Sequence, residues 1–300
     1  MNIKRILMPT DFSDTARKAL DQAVILAAKF KAELVVLHAR VMYQDDPNIL
    51  PEKMKEIEKE EQKIENDLLE HVRERTHHVN LPKIRHEIIR GYSAPSAILG
   101  YLNNNEFDLV VIGTHGRSGL EHFLIGSVTE KVVRYARCPV ITVHANMTLK
   151  ESFNKIVVPF DFSEHSVLAL QNALEMAESS KSEVTLFYVV EDDVHPALYA
   201  WGMKSIFEIV PDIKVKAEKK MDEIMAGLSN PHNVKIIKKI VEGVPHKVIS
   251  EFVQKSDIDL LVIATHGLVG LDKFLLGSTT EKIIRCVSIP ILTLKMKNVI

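Results

Sequence analysis

The two halves of the sequence follow the same plan. From Gly113 to Val143, 15 of 31 positions are identical to the stretch from Ala264 to Leu294, aligned without a gap. The beginnings of the halves also correspond, because residues 6–13 align with residues 156–163. The period of about 150 residues far exceeds the roughly 20–50 residues of solenoid repeats. The repeat therefore predicts two tandem domains.

The position of the repeat predicts where the chain divides. We expect a first domain at residues 1–148 and a second at residues 149–300. The seam should lie between Ala145 and Asn154, where polar residues interrupt two apolar runs. A chain of 300 residues is long enough for about two domains of ordinary size, each able to bury its own core.

Composition and charge narrow the class of protein. Hydrophobic residues make up 46% and charged residues 26% of the chain, which is typical of a globular protein. A formal net charge of -2 argues against a general nucleic-acid binder, since such proteins carry a basic excess. The first residues lead into a strand rather than an export signal, and no apolar run is long enough to span a membrane. Because Cys138 and Cys286 are not equivalent in the repeats, we expect no disulfide and a cytoplasmic protein.

Strand and helix patterns alternate along the first repeat. Short apolar runs such as Leu34–Leu37 are typical of strands buried on both faces of a parallel sheet. The predicted strands lie at residues 5–8, 34–37, 84–89, 109–112 and 140–143, and the predicted helices at residues 14–30, 52–75, 95–103 and 127–136. This alternation predicts an α/β fold with a parallel sheet. Such a sheet binds ligands at the carboxyl ends of its strands, where the strand order switches.

Two loops leave strands at that edge of the predicted sheet. One follows the first strand and carries Asp11, and the other follows the fourth strand and carries Gly113 and Gly116. Glycine lets a ligand approach the backbone closely. Ser127 and Glu130 have the spacing of a capping box, which predicts a helix start that attracts phosphate. With Asp11 as an acceptor for ribose hydroxyls or an adenine amine, these residues predict a mononucleotide site.

Each of these features also has a purely structural interpretation. Ser127 can simply cap its own helix, the two glycines can only form a turn, and Asp11 can cap the helix that begins near Ser13. The convergence of all three features on one sheet edge, at a fixed spacing, favours the ligand site.

The same residues make the chain resemble the universal stress protein family. Its ATP-binding members carry a Gly, two residues, a Gly, nine residues and then Gly-Ser or Gly-Thr, matched here by Gly113, Gly116, Gly126 and Ser127. They open with a hydrophobic strand followed by Pro-x-Asp-x-Ser, matched by residues 9–13. The resemblance covers both halves. It implies two tandem, open, parallel five-stranded sheets flanked by helices, a Rossmann-like fold of the nucleotide-hydrolase type, with ATP lying across the strand ends.

The resemblance also implies roles for individual residues. Asp11 and Gly113 would hold the adenosine part, Ala39 would line the adenine, and groups of the glycine loop and the following helix would contact the phosphates. A magnesium ion would accompany the ATP, with no protein ligand for it identified. The implied cofactor-binding set is Pro9, Thr10, Asp11, Ala39, Gly113, His115, Gly116, Arg117, Gly126, Ser127, Val128 and Thr129. No catalytic or metal-ligating residue is assigned.

The second repeat departs from this pattern. Ala264 and Phe160 stand where the first repeat has a glycine and a threonine, and Leu268 replaces Arg117, so bulk is added and a positive charge is lost. We therefore expect a weaker or empty site in the second repeat. Its candidate positions are Asp161, Val189, Gly267, Gly277, Ser278, Thr279 and Thr280.

Three functions stay open. The first is an ATP-binding regulatory module of the stress response, whose bound nucleotide changes a surface for a regulatory protein partner. The second is a slow ATPase or autophosphorylating enzyme, and the third is a nucleotide-free scaffold of the same fold. His115 invites a catalytic interpretation, but no carboxylate is positioned by the sequence to orient it, and a solvent-facing role is the alternative. The family also implies an intrachain pseudo-dimer of the repeats and pairing of whole chains into homodimers.

Overall fold

The two halves of the chain form separate units in a computed structural model that describes residues 1–41, 51–77, 79, 81–115, 125–191, 205–228, 234–265 and 276–296. One unit is Asn2–Glu151 and the other is Ser152–Ile300, with Met1 grouped with the latter. The domain limits at 1–148 and 149–300 stay a prediction. None of the described helices is both long enough and apolar enough to cross a membrane.

The first unit alternates strands and helices, as the sequence predicts. Its elements are β1 (Arg5–Thr10), α1 (Asp14–Phe30), β2 (Glu33–Val41), α2 (Pro51–Thr76), β3 (Ile84–Gly91), α3 (Ala94–Asn104), β4 (Leu109–Gly113), α4 (Ser127–Tyr135) and β5 (Val140–Val143). The sequence pattern ends the first strand at Pro9, but β1 continues through it. Pro9 and Thr10 still pair in register with Leu37 and His38 of β2, which carries the strand two residues beyond Met8.

The five strands of the first unit are parallel, in the order β3-β2-β1-β4-β5. The chain adds β2 and β3 on one side of β1 and then returns to add β4 and β5 on the other. The strand order therefore reverses between β1 and β4, the switch point at which open α/β sheets bind ligands. β4 pairs with β1 only at Ile6 and Leu7, whereas β2 pairs with β1 as far as Thr10. The carboxyl ends of β1 and β4 are therefore unpaired with each other, and a gap opens between them.

Burial and capping explain why these elements form. Leu7, Val36 and Val111, on the three central strands, are all fully buried, as expected for strands covered on both faces. Helix α1 begins at the N-cap Ser13, whose side chain accepts a hydrogen bond from the Ala16 N–H. The cap fixes the first turn of α1 directly after the carboxyl end of β1.

The second unit has the same arrangement. Its described elements are β6 (Lys155–Pro159), α5 (Glu164–Ser180), β7 (Glu183–Val190), α6 (Ile206–Ile209), α7 (Ile213–Ala226), β8 (Lys235–Glu242), α8 (Pro245–Lys255), β9 (Leu260–Ala264), α9 (Ser278–Cys286) and β10 (Ile291–Leu294). The strands are parallel in the order β10-β9-β6-β7-β8, so the switch point lies between β6 and β9. The predicted tandem α/β fold with parallel five-stranded sheets is confirmed.

Candidate functional site

A cavity lies at the switch point of the first unit. Its volume is about 240 Å³, just below the ~300–1,000 Å³ typical of small-molecule sites. It is lined by Pro9, Thr10, Asp11, Ala16, His38, Ala39, Ala94, Ile98, Ile112, Gly113, His115, Gly126, Ser127, Val128 and Thr129. The cavity thus brings together every candidate of the first repeat that the structure describes. Gly116 and Arg117 lie outside the described residues.

Several lining residues were missed by the sequence analysis. They are Ala16, His38, Ala94, Ile98 and Ile112. Ala94 and Ile98 lie one turn apart on α3 and share a face, so their spacing is a signal that could have been used. His38 becomes visible only through the pairing of Thr10 with His38 across β1 and β2. These residues add an apolar wall and an imidazole to the site.

Asp11 shapes the turn between β1 and α1. Its Oδ1 accepts hydrogen bonds from the backbone N–H of Ser13 at 3.1 Å and from the Ser13 hydroxyl at 2.6 Å. Ser13, rather than Asp11, is the N-cap of α1, so the proposed capping by Asp11 is wrong. Phe12, between them, has a positive φ of 66°, and its N–H donates to Thr10 Oγ1 at 3.1 Å. This turn holds the Asp11 carboxylate at the cavity.

The first turn of α4 points backbone N–H groups toward the cavity. The N-cap is Gly126 and no side-chain hydrogen bond caps the helix, so the predicted capping box at Ser127 is wrong. Glu130 instead forms an ion pair with Arg134 at 2.7 Å, one turn further along the helix. The first intrahelical bond runs from Glu130 N to Gly126 O at 2.9 Å. The N–H groups of residues 127–129 precede that bond, which is the geometry that attracts anions.

The start of α4 is tied to the end of β4. The Thr129 hydroxyl donates to the Gly113 carbonyl oxygen at 2.5 Å, and Thr129 is buried. This hydroxyl is therefore committed to the protein, and Thr129 presents its backbone N–H to the site. A Cβ placed on Gly113 would lie 2.8 Å from Thr15 Cγ2 in α1. The bulk of an alanine at this position is therefore directed at α1.

Imidazole rings support the turn and the cavity wall. His38 Nδ1 lies 2.9 Å from the Thr10 carbonyl oxygen, and since a carbonyl only accepts, Nδ1 carries the proton. The His38 ring centroid lies 4.8 Å from that of Phe12. The Phe12 ring also meets His71 of α2 edge-on, with centroids 5.9 Å apart.

His71 is a buried base behind the turn. Burial lowers the pKa of His71 to about 4, and the positive charges of Arg75 and Arg17 act in the same direction. Only 5% of His71 is exposed. The side chain is therefore neutral at neutral pH and serves as packing rather than as a charge.

His115 lies at the opposite side of the cavity, after β4. Its Nδ1 is 3.0 Å from the hydroxyl of Thr114. The sequence offered no group to orient this histidine, and the structure supplies a hydroxyl rather than a carboxylate.

Among the residues that the structure describes, no cluster of three or more His, Cys, Asp or Glu side chains is arranged to hold a metal ion.

Aromatic side chains gather at the corresponding place in the second unit. Phe160 is buried, with 3% exposed, and its ring centroid lies 5.3 Å from that of Phe162. Phe162 has a φ of 65° and lies 4.7 Å from Tyr188, with Lys220 Nζ 4.6 Å from its ring centroid. The turn of the first unit is thus repeated, but a large ring stands where the first unit has Thr10.

The other candidate positions of the second unit keep the same frame. Oδ1 of Asp161 accepts a hydrogen bond from Ser163 N at 3.0 Å, and the Thr280 hydroxyl donates to the Ala264 carbonyl oxygen at 3.0 Å. Gly277 is the N-cap of α9, which opens with Ser278, Thr279 and Thr280. Val189, the counterpart of Ala39 in the first unit, is buried. Gly267 and Leu268 fall outside the part of the chain that the structure describes.

The fold and the position of the cavity define a class: doubly wound, parallel α/β proteins built as tandem domains, with space for a ligand at the strand-order reversal. The sequence model of the Universal stress protein family matches this chain twice, at residues 2–144 and 152–295. The chain belongs to the universal stress protein family.

Individual relatives are similar over one domain or over both. The chain is 35% identical over 144 residues to the universal stress protein MJ0531 of Methanocaldococcus jannaschii, covering 48% of this chain and 82% of that protein. It is 31% identical over 158 residues to the universal stress protein MJ0577 of the same organism, covering 49% and 97%. The crystal structure of a universal stress protein from Archaeoglobus fulgidus is similar with a TM-score of 0.69 at 19% identity, covering 98% of this chain and 99% of that one. At that identity the structural likeness shows the fold alone.

Proposed function

We propose that the first domain binds an adenine nucleotide, ATP, in the switch-point cavity, and that the bound nucleotide serves a regulatory role in the stress response. The observation that carries the proposal is the convergence in one cavity of Ala39 after β2, Asp11 after β1 and the first turn of α4 after β4. The strand order β2-β1-β4 places these groups in that sequence along one sheet edge. An adenine, a ribose and a phosphate chain follow one another in the same order.

The chemistry of each part fits the corresponding part of a nucleotide. Ala39, Ala94 and Ile98 supply apolar surface suited to the faces of an adenine ring. The Asp11 carboxylate is an acceptor for ribose hydroxyls, and hydrogen bonds to a charged group are among the stronger ones. The N–H groups of residues 127–129, at the positive end of the α4 dipole, suit phosphate oxygens.

The second domain is proposed as the weaker or empty site. Phe160 and Val189 are both buried and both bulkier than Thr10 and Ala39, their counterparts in the first domain. The retained Asp161 turn and the start of α9 keep the fold of this domain.

Binding without dedicated turnover is the function we favour. In the described lining of the cavity the carboxylate is Asp11, whose Oδ1 accepts two hydrogen bonds from Ser13. That geometry suits holding a ligand better than accepting a proton from water. From the family resemblance we further propose a magnesium ion with the triphosphate, a cytoplasmic location, homodimers and a regulatory protein partner.

Nucleotide content and nucleotide titration test the proposal. Purified full-length chain is heated, and the released small molecules are separated by anion-exchange chromatography. The same preparation, stripped of ligand, is titrated with ATP and magnesium by calorimetry while ADP formation is followed. We expect ATP binding with little ADP formed. Steady ADP production would instead indicate a slow ATPase. If the protein neither releases nor binds a nucleotide, the nucleotide-free scaffold is the remaining function.

A further inference from the structure

A hydrogen-bond relay links His115 to His144 through the side chain of Thr114. Thr114 is fully buried, and its Oγ1 lies 3.0 Å from His115 Nδ1 and 3.2 Å from His144 Nδ1. The two imidazole ring centroids are 6.2 Å apart. His115 comes from the loop after β4 and His144 from the end of β5, so the relay joins two neighbouring strand ends.

When the Thr114 hydroxyl donates within the relay, the two histidines hold different tautomers. A threonine hydroxyl has one proton to donate, so it can give a hydrogen bond to only one of the two Nδ1 atoms. The other imidazole must then donate its own Nδ1 proton to the Thr114 oxygen. When Thr114 donates to His115, the proton of neutral His115 sits on Nε2, and His144 carries its proton on Nδ1.

The Nε2 atom of His115 lacks a partner. It is shielded from solvent and makes no hydrogen bond with any residue that the structure describes, and His115 lines the cavity. A buried polar atom without a partner is rare and costly, so a ligand atom is the natural candidate. Gly126 N donates to the Thr114 carbonyl oxygen at 2.7 Å, which places His115 beside the start of α4. This is the phosphate end of the proposed site.

We infer that Thr114 and His144 are positioning residues that hold His115 with its proton on Nε2, so that this nitrogen donates a hydrogen bond to a phosphate oxygen of the bound nucleotide. The inference rests on the proposed function, because it needs a nucleotide in the first domain. A phosphate oxygen only accepts, so it selects this tautomer over the reverse one. The second domain keeps Thr265, but Lys295 stands in place of His144, so its sequence lacks the second imidazole of the relay.

The contact of His115 is tested with paired substitutions in the full-length chain. His115→Gln keeps an N–H donor close to the place of Nε2, whereas His115→Asn keeps a polar group only near the place of Nδ1. Calorimetric titrations with magnesium-ATP and with adenosine compare both variants with the wild type. We expect His115→Asn to weaken ATP binding by about 10-fold or more, the loss of one hydrogen bond to a charged group, and His115→Gln to retain most of it. Adenosine binding should change in neither variant.

The positioning role is tested by a readout that packing alone does not move. The 15N chemical shifts of the His115 imidazole report which nitrogen carries the proton. Thr114→Val keeps the shape of the buried side chain and removes the relay hydroxyl, and Thr142→Val is its matched control. Thr142 is a buried threonine of β5 whose hydroxyl makes no hydrogen bond within the described structure. We expect Thr114→Val to give a mixture of His115 tautomers and a several-fold loss of ATP affinity, and Thr142→Val to change neither.

The outcomes separate this inference from the proposed function. If wild-type protein binds ATP but His115 carries its proton on Nδ1 in the complex, the inference is wrong. It is equally wrong if both His115 variants weaken adenosine and ATP binding by the same factor, because the contact then lies away from the phosphates. If no nucleotide binds at all, the proposed function fails, and the phosphate contact fails with it. The spectra of the ligand-free wild type and Thr114→Val still test the relay: identical His115 tautomers in the two proteins would overturn it.

Discussion

One methyl group at Gly113 tests how the first domain is packed at its site. A Cβ at this position would lie 2.8 Å from Thr15 Cγ2 and 3.1 Å from both the carbonyl carbon and the carbonyl oxygen of Thr15. The methyl group of Thr15 can rotate away, but the backbone atoms move only if α1 moves. Overpacking of this kind costs about 1–3 kcal/mol. We expect Gly113→Ala to lower the free energy of unfolding of the first domain by that amount.

The same substitution at Gly100 is the matched control. Gly100 lies within α3, and a Cβ there would meet nothing within 4 Å. Alanine loses less backbone entropy than glycine when a helix forms, so we expect Gly100→Ala to raise the free energy of unfolding by about 0.5–1 kcal/mol. Urea unfolding of the full-length chain, followed by circular dichroism and fitted for two domains, measures both changes.

A second substitution shows whether Thr15 is the cause. Thr15→Ala in the Gly113→Ala background removes the 2.8 Å contact but leaves the two 3.1 Å backbone contacts, so we expect partial recovery of stability. If Gly113→Ala is as stable as the wild type, the Cβ does not overpack against Thr15. The contact with Thr15 is also not the cause if Thr15→Ala lowers the free energy of unfolding as much in the Gly113→Ala background as it does in the wild type.

Three further changes probe the site and the fold around it. Asp11→Asn keeps an oxygen to accept the Ser13 hydrogen bonds but removes the charge; calorimetry should show about 10-fold weaker ATP binding with unchanged stability. Proline suits the first helical position, and Gly126 already has the extended conformation (φ -61°, ψ 142°) that precedes proline, so Ser127→Pro should change the urea unfolding little. Because the substitution removes the N–H of residue 127, it should weaken the binding of ATP but not of adenosine. The pKa of His71 in the folded protein, about 4, lies below its value in the unfolded chain, about 6.5. The stabilising contribution of neutral His71 is therefore complete only above about pH 6.5. The free energy of unfolding should fall by about 2 kcal/mol between pH 7 and pH 5 through this group. In His71→Leu, urea unfolding should show a smaller fall in the free energy of unfolding between pH 7 and pH 5. If the free energy falls equally in His71→Leu and the wild type, His71 is not the titrating group.

Local patterns in the sequence were enough to predict most of the fold. The buried strand Leu34–Leu37 and the helix at residues 14–30 have side-chain periods that depend only on neighbours along the chain, and both elements form as expected. The internal repeat then supplied the tandem plan. Because the carboxyl ends of parallel strands share one edge, the candidates on the β1 and β4 loops could be expected to meet, and the cavity lining brings them together.

The features that the sequence did not predict depend on contacts between distant residues. Thr15 and Gly113 meet because α1 packs across β4, and no local pattern reports that contact. His144 and Thr114 are 30 positions apart and become neighbours only when β5 pairs with β4. The capping box failed for a different reason: α4 starts one residue earlier than the motif requires, so Gly126 is the N-cap and Ser127 is already the first helical residue.

The central claim, that the first domain binds the nucleotide and the second does not bind it comparably, is tested most directly by a calorimetric titration of three full-length proteins with magnesium-ATP. They are the wild type, Thr10→Phe, which places the aromatic residue of the second domain in the first, and Phe160→Thr, which does the reverse. We expect one tight site per chain in the wild type, its loss in Thr10→Phe and its retention in Phe160→Thr. Two equal sites per chain, or tight binding that survives Thr10→Phe and disappears in Phe160→Thr, would contradict it.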